Sequence, residues 1–283
     1  ESVAVVGGEE LSPPKFGTVQ ISIKPKNGTY ISDFDKQNIL SKLKQYAIAG
    51  INQNIIDLKV LYVEIDSSIY FNSNQISDVD ELRTNVIDTL SIYSQDVDIN
   101  KFGGRFKYSK MLQLIDRVNS SITSNITKVK IRRDLRALIN QFAQYELCFG
   151  NKFHVNPAGL NIKSTGFKIS GDPSTVFLTD TPNDMKTGVL SIVKQTSTGE
   201  RIVVSKDAGV VDYEKGEIIL NTVNIVETSL SDNIIEIQAF PESNDVVGLK
   251  DLYLSFDVPN SRINMIKDVI ASGEDISGVS FTR

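Results

Sequence analysis

The 283-residue sequence predicts an α+β domain, a small mixed sheet with helices on one face, followed by an all-β, sandwich-like domain. Three observations carry that prediction. The first half reads strand, helix, strand, helix, helix, strand, an order that lays helices over one face of a sheet. Near "LINQFAQYELCFGNKFHVNP" the texture changes, and helical periodicity is lost for roughly 100 residues. Through that second stretch, turn residues return at the short intervals typical of all-β folds. The division that follows is 1–16 as a strand and turn joining an upstream region, 17–145 as the α+β domain, 146–258 as the β domain, and 259–283 as a short helix and tail.

"SVAVVGG" opens as a strand already under way, and the first residue is Glu rather than Met, so a longer parent protein is expected. Gly7 and Gly8 then make a turn whose φ angles exclude larger residues, kept wet by Glu9 and Glu10. Pro13 and Pro14 set an extended path out of it. In "GTVQISIKP", Val19, Ile21 and Ile23 alternate with Gln20, Ser22 and Lys24, the period of a strand with one buried face. "SDFDKQNILSKLKQYAIAG" reads as a helix: Ser32 with Asp35 resembles a capping box, and Ile39, Leu43, Tyr46 and Ala47 share a face. Gly50 can close it.

"DLKVLYVEI" is the next strand, extending into "SSIYFN". "SDVDELRTNVIDTLSIYSQ" gives the clearest helix, with Val79, Leu82, Val86, Leu90 and Tyr93 at steps of three and four and acidic residues in its first turn. A shorter helix, "YSKMLQLIDRV", precedes the strand "NITKVKIRR", where Val129 and Ile131 point inward and Lys128, Lys130 and Arg132 outward. Beyond the change of texture the candidate strands are "TGFKIS", "TVFLT", "GVLSIVKQ", "RIVVS", "GEIILNTV", "IIEIQAF" and "DLYLSFDV". "QTSTGER" and "VDYEKGEII" supply glycines for hairpin tips.

Composition narrows the chemistry. With 40% hydrophobic and 23% charged residues, the chain can bury a sizeable core. A net charge of -5, from 30 basic and 35 acidic residues, argues against nucleic acid as a partner. Cys148 is the one cysteine and His154 the one histidine, so disulfides and cysteine-rich zinc sites are excluded. In a strand, these two would sit about 20 Å apart, too far for a catalytic pair, and a structural histidine and a buried cysteine are expected. No apolar run approaches the roughly 20 residues that span a bilayer. No cofactor, metal or catalytic residue is assigned.

Two constellations remain. Gly7-Gly8-Glu9-Glu10 is similar to the metal-binding turn of diguanylate cyclases, but Leu11 replaces the expected Phe and the following strand does not match; a structural joint is the preferred reading. The stripe Lys128, Lys130, Arg132, Arg133 and Arg136 suits either a solvated sheet face or a docking surface for an acidic partner, arginine being enriched at interfaces. On the docking reading, reversing the charge of Arg132 and Arg133 weakens assembly and leaves the fold intact.

"GGEELSPPKFGTVQISIKPKNGTYIS", "LYVEI" and "GGRFKYSKMLQLIDRV", with a looser match through "VVDYEKGEIILN", resemble the J-like baseplate wedge proteins of T-even-type, contractile-tailed bacteriophages. The resemblance implies a non-enzymatic structural subunit of the virion tail baseplate, assembled in the host cytoplasm, and this chain would be its C-terminal ring-forming half. Its implied partners are a second copy, in a homodimer and then a ring, and the other wedge subunits. The ring stays connected through the rearrangement that triggers sheath contraction. Two rival readings are a β module that binds host surface or carbohydrate, and a metal-dependent nucleotide enzyme built on the Gly-Gly-Glu-Glu turn.

Overall fold

The structure, a computed structural model, describes residues 2–11, 14–26, 28, 31–46, 50–196 and 198–273. Strands β1 (Ser2–Gly7), β2 (Thr18–Lys24) and β3 (Asn52–Ile56) form a separate sheet in the order β1-β2-β3. β1 runs antiparallel to β2, and β3 runs parallel to it. A parallel neighbour requires a long crossover, and helix α1 (Asp33–Leu43) supplies it. Ser32 caps this helix: its Oγ accepts from the Asp35 amide at 3.1 Å and donates to Asp35 Oδ2 at 2.6 Å. α1 buries no residue, and Tyr46 beyond it is exposed. In β2 the residue driven deepest is Ser22, on the face that the alternation assigns to solvent. Ala47 and Pro13 lie outside the described residues.

The main sheet begins with β4 (Lys59–Phe71), followed by α2 (Val79–Ser94), the two-residue β5 (Arg105–Phe106), α3 (Tyr108–Asp116) and β6 (Ile122–Arg136). β4 and β6 pair antiparallel, with Ile65 opposite Val129 and Val63 opposite Ile131. Asp78 caps α2 through its side chain, and Leu82, Val86, Leu90 and Tyr93 are buried at the expected spacing. Met111 and Ile115 of α3 enter the same core as Val63, Ile65, Ile69, Val129 and Ile131. Tyr108 locks α3 to β6 by donating to the Thr127 carbonyl at 2.8 Å.

Next come β7 (Phe142–Cys148), β8 (Lys163–Ser164), β9 (Phe167–Ile169), β10 (Asp172–Pro182), β11 (Thr187–Gln195), β12 (Arg201–Asp212), β13 (Glu217–Thr228) and β14 (Ile234–Ala239). The path β10-β11-β12-β13-β9 returns to β10, so five strands close into a barrel. Register shifts between Leu190 and Ile192 in β11 bend the wall, as bulges do at barrel corners. At Gly209 of β12 a Cβ would fall 2.1 Å from the Ile219 carbonyl oxygen, so this strand crossing admits only glycine. Inside, Tyr213 donates to Asp180 Oδ2 at 2.7 Å, while Asp180 Oδ1 accepts from the Ile162 amide at 2.7 Å.

β14 joins the barrel to the main sheet: it pairs with β6 on one side and with β8 on the other, and β8 pairs with β10. β15 (Val246–Val247) pairs with β5. β16 (Leu252–Phe256) and β17 (Arg262–Lys267) then lie parallel to β4 in succession along its free edge.

The predicted fold class is therefore corrected. Among the described residues there are seventeen strands and three α-helices, and the protein is mostly β rather than α+β. The expected small sheet is part of a twelve-stranded one, and the expected sandwich is a closed barrel. The short helix expected after residue 259 is strand β17 instead, because the unpaired edge of β4 offers "RINMIK" a backbone ladder. Residues 274–283 lie outside the described residues.

Candidate functional site

The basic stripe sits on β6, between β4 and β14. Strand alternation splits it into two faces. Lys128, Lys130, Arg132 and Arg136 share the face away from α2 and α3, while Arg133 falls with Ile131 and Leu135. Lys128 and Arg136 are exposed and Lys130 is half-buried, but Arg132 is only 4% and Arg133 only 8% exposed. Arg132 lies on the face predicted for it but is buried there rather than open to solvent, and the expectation is corrected on that point. Its charge is spent inside the chain.

Arg132 is surrounded by carboxylates from four segments. Nε donates to Glu64 Oε1 of β4 at 2.6 Å, and Nη1 donates to Asp134 Oδ1 and to Glu236 Oε1 of β14, each at 2.6 Å. Nη2 donates to Asp257 Oδ2, just beyond β16, at 2.7 Å. The guanidinium also lies 4.2 Å from the centre of the Tyr62 ring, a stacking geometry that arginine favours. Gln238 donates to the second oxygen of Glu64 at 3.2 Å, and Lys130 approaches that oxygen at 4.0 Å.

Four carboxylates against Arg132 and Lys130 leave an excess of two negative charges when every group is ionised. That imbalance governs the proton affinities. Burial pushes Glu64, 2% exposed, above the usual carboxylate range despite its bond to Arg132, and burial does the same to Asp134. Burial, reinforced by Asp134, pushes Tyr62 up to about 12. Desolvation works against the charge on Arg132, but Asp134, Glu236 and Glu64 outweigh it and keep the guanidinium protonated. Arg133 differs: its Nη1 donates to the Cys148 carbonyl, its buried Nε has no partner, and desolvation lowers its proton affinity.

The sequence carries a signal for this cluster that charge counting along β6 misses. Glu64 in "LYVEI" and Glu236 in "IIEIQ" each interrupt an apolar run. A carboxylate inside a buried strand needs a cation, and Arg132 is that cation for both.

The remaining candidates are structural. Gly8 begins a single 3-10 turn through Glu10, and neither Gly7 nor Gly8 has a positive φ. The need for glycine is instead one of space: a Cβ at Gly8 would fall 1.8 Å from the Lys15 carbonyl oxygen. Glu10 pairs with Lys250 at 2.8 Å, and Pro14 is exposed. His154 is exposed, and its backbone amide donates to the Phe240 carbonyl at 2.9 Å. Cys148 is half-buried rather than buried, and burial pushes its thiol up, away from a reactive thiolate. Among the described residues no three His, Cys, Asp or Glu are arranged to hold a metal, and no helix is long and apolar enough to cross a membrane.

A cleft of about 710 Å³ lies beside the stripe, lined by Gln20 and Ile56 of the N-terminal sheet and by Tyr62, Asp134 and Arg136 of the main sheet. The separation of the two sheets has a counterpart in known families. Residues 1–56, which hold β1 to β3, match the family described as baseplate structural protein gp6, C-terminal domain I. Residues 59–134, which hold β4, β5 and all but the last two residues of β6, match C-terminal domain III of the same protein. The chain is 27% identical over 124 residues to baseplate wedge protein gp6 of Enterobacteria phage T4, covering 43% of this chain and 18% of that relative. The matched region thus spans less than a fifth of the relative's length. In its first 134 residues the chain is gp6-like, similar to the C-terminal domains of a phage baseplate structural protein.

Proposed function

We propose that the chain is a structural subunit of a phage tail baseplate wedge, that it pairs with a second copy, and that such pairs link neighbouring wedges into a ring. The observation that carries this reading is the likeness of residues 1–56 and 59–134 to two C-terminal domains of one baseplate protein, the first of which coincides with the separate sheet β1–β3. On this reading it contacts other wedge subunits in the virion, is assembled in the host cytoplasm, and has no catalytic role. A ring subunit needs at least two contact surfaces. One is assigned to the exposed part of the stripe, Lys128 and Arg136 with Lys130 between them. Arg132 and Arg133 support that surface from beneath. The other is assigned to the loops of residues 146–258 or to the C-terminal tail, with 17–145 as the other functional domain.

Light scattering across a concentration series tests self-association. A mass rising toward or beyond twice the 31.3 kDa of the chain is expected, and Lys128→Glu with Arg136→Glu should suppress it without changing the circular dichroism spectrum. A strict monomer throughout the series refutes self-pairing by this chain. Unchanged association of the double variant refutes the assigned surface.

A further inference from the structure

The outer wall of the barrel carries a small groove that the stripe and the gp6 likeness leave unassigned. Its volume is about 200 Å³, and its floor is formed by β10 and β11. Phe177 lies opposite Val193, and Thr179 lies opposite Lys163 of β8. Directly paired residues share a sheet face, so these side chains converge. Lys163, Lys194 and Arg201 line the groove, and no carboxylate does. Lys194 is engaged by Asp172 at 3.2 Å. Among the described residues, Lys163 and Arg201 are exposed and make no ion pair.

Two further features set this place apart. Thr179 is 7% exposed, and its buried Oγ1 has no hydrogen-bond partner, a condition that native structures rarely leave unanswered. Leu160, also in the lining, holds a φ of +71°, a left-handed conformation that non-glycine residues adopt at a cost and that gathers at binding sites.

We propose that this groove is a docking site for an acidic segment of a protein partner, which inserts a carboxylate between Lys163 and Arg201 and an adjoining apolar side chain against Phe177 and Val193. The volume supports a protein segment as the occupant. It falls below the roughly 300 Å³ at which small-molecule pockets begin, and suits one or two anchoring side chains. Charge supports the sign: a cationic, carboxylate-free groove on a chain of net charge -5 selects anions locally against the field of the whole. This site is separate from the stripe and stands whether or not the chain is a baseplate subunit.

The test is titration of the 15N-labelled chain with an acetylated, amidated peptide of alternating glutamate and leucine, beside its glutamine counterpart. Saturable amide shifts at Lys163, Phe177, Thr179 and Arg201 are expected. Lys163→Glu with Arg201→Glu should weaken binding by about tenfold or more, since two partly exposed ion pairs are lost. The glutamine peptide should bind clearly more weakly. Equal binding by the glutamine peptide or by the double variant overturns the proposal. So does citrate binding as tightly as the peptide, which would make the groove a site for small anions.

Discussion

Replacing Arg132 with Met should destabilise the protein by roughly 3–5 kcal/mol at neutral pH, the scale for breaking a buried ion cluster by removing one partner. Glu64, Asp134, Glu236 and Asp257 all lie within 2.7 Å of that guanidinium, and Met fills much of the volume while supplying no charge. Domain stabilities of about 5–15 kcal/mol make the loss a large fraction of the whole. The pH dependence gives a sharper test. Glu64 and Asp134 hold protons more tightly in the folded state than their ordinary values of 4.5 and 3.8. The native state therefore binds more protons than the unfolded chain through that window, and their contribution to stability rises as pH falls. Arg132 is what holds both values down, so its removal raises them and widens the window upward. The deficit of the variant should be largest near pH 8 and shrink toward pH 5. Aspartates with depressed values act in the opposite sense: Asp172, lowered to about 2 chiefly by the Ser174 amide, loses its contribution as pH falls from 3.8 through 2. They are common to both proteins and cancel in the difference. Urea unfolding at 25 °C, followed by tyrosine fluorescence because the chain has no tryptophan, measures the deficit at each pH. A deficit below about 1 kcal/mol at pH 7.5, the scale of an exposed ion pair, or one that grows on acidification, refutes the account.

Adding Glu64→Gln to Arg132→Met should recover about 1 kcal/mol or more of the loss, since the most deeply buried carboxylate is neutralised; a double-mutant cycle in urea reads the coupling. Gly8→Ala forces the Lys15 carbonyl to move and should cost roughly 1–3 kcal/mol, whereas Gly7→Ala should stay within about 0.5 kcal/mol because the atoms nearest its Cβ belong to the flexible Glu9 carboxylate. Limited proteolysis of residues 1–56 separates the two. Tyr213→Phe leaves Asp180 without one of its two hydrogen bonds inside the barrel and should cost about 1–3 kcal/mol in thermal or urea unfolding.

Local order was legible where one residue's neighbours are set by its own element. The α2 face from Leu82 to Tyr93 follows the helical period, and the Ser32 cap follows a three-residue spacing. Strands β9 to β14 and β16 fall on the apolar runs that predict them. What stayed hidden depends on pairing at a distance. Nothing in "TGFKIS" says that β9 pairs with both β10 and β13 and so closes a barrel. "FAQYELC" and "RINMIK" become strands because β13 and β4 present ladders to them. In β2 the alternation marks two faces but not which is deeper, and the deeper one carries Ser22.

The stripe shows why the same limit bears on function. Five basic residues in a row of nine look equivalent in the sequence, yet the structure divides them into those that hold the fold and those that reach solvent. Arg132 joins four segments, from Glu64 to Asp257, so the C-terminal strands are tied to β4 and β6 by charge as well as by backbone ladders. Reversing its charge would place a fifth carboxylate among four, so the expectation that this reversal spares the fold fails on electrostatic grounds. Lys128 and Arg136 carry no such constraint from burial. A change at Lys128 alters the surface and leaves the buried cluster in place. An assembly defect at that position therefore reports on contacts, whereas one at Arg132 reports on folding.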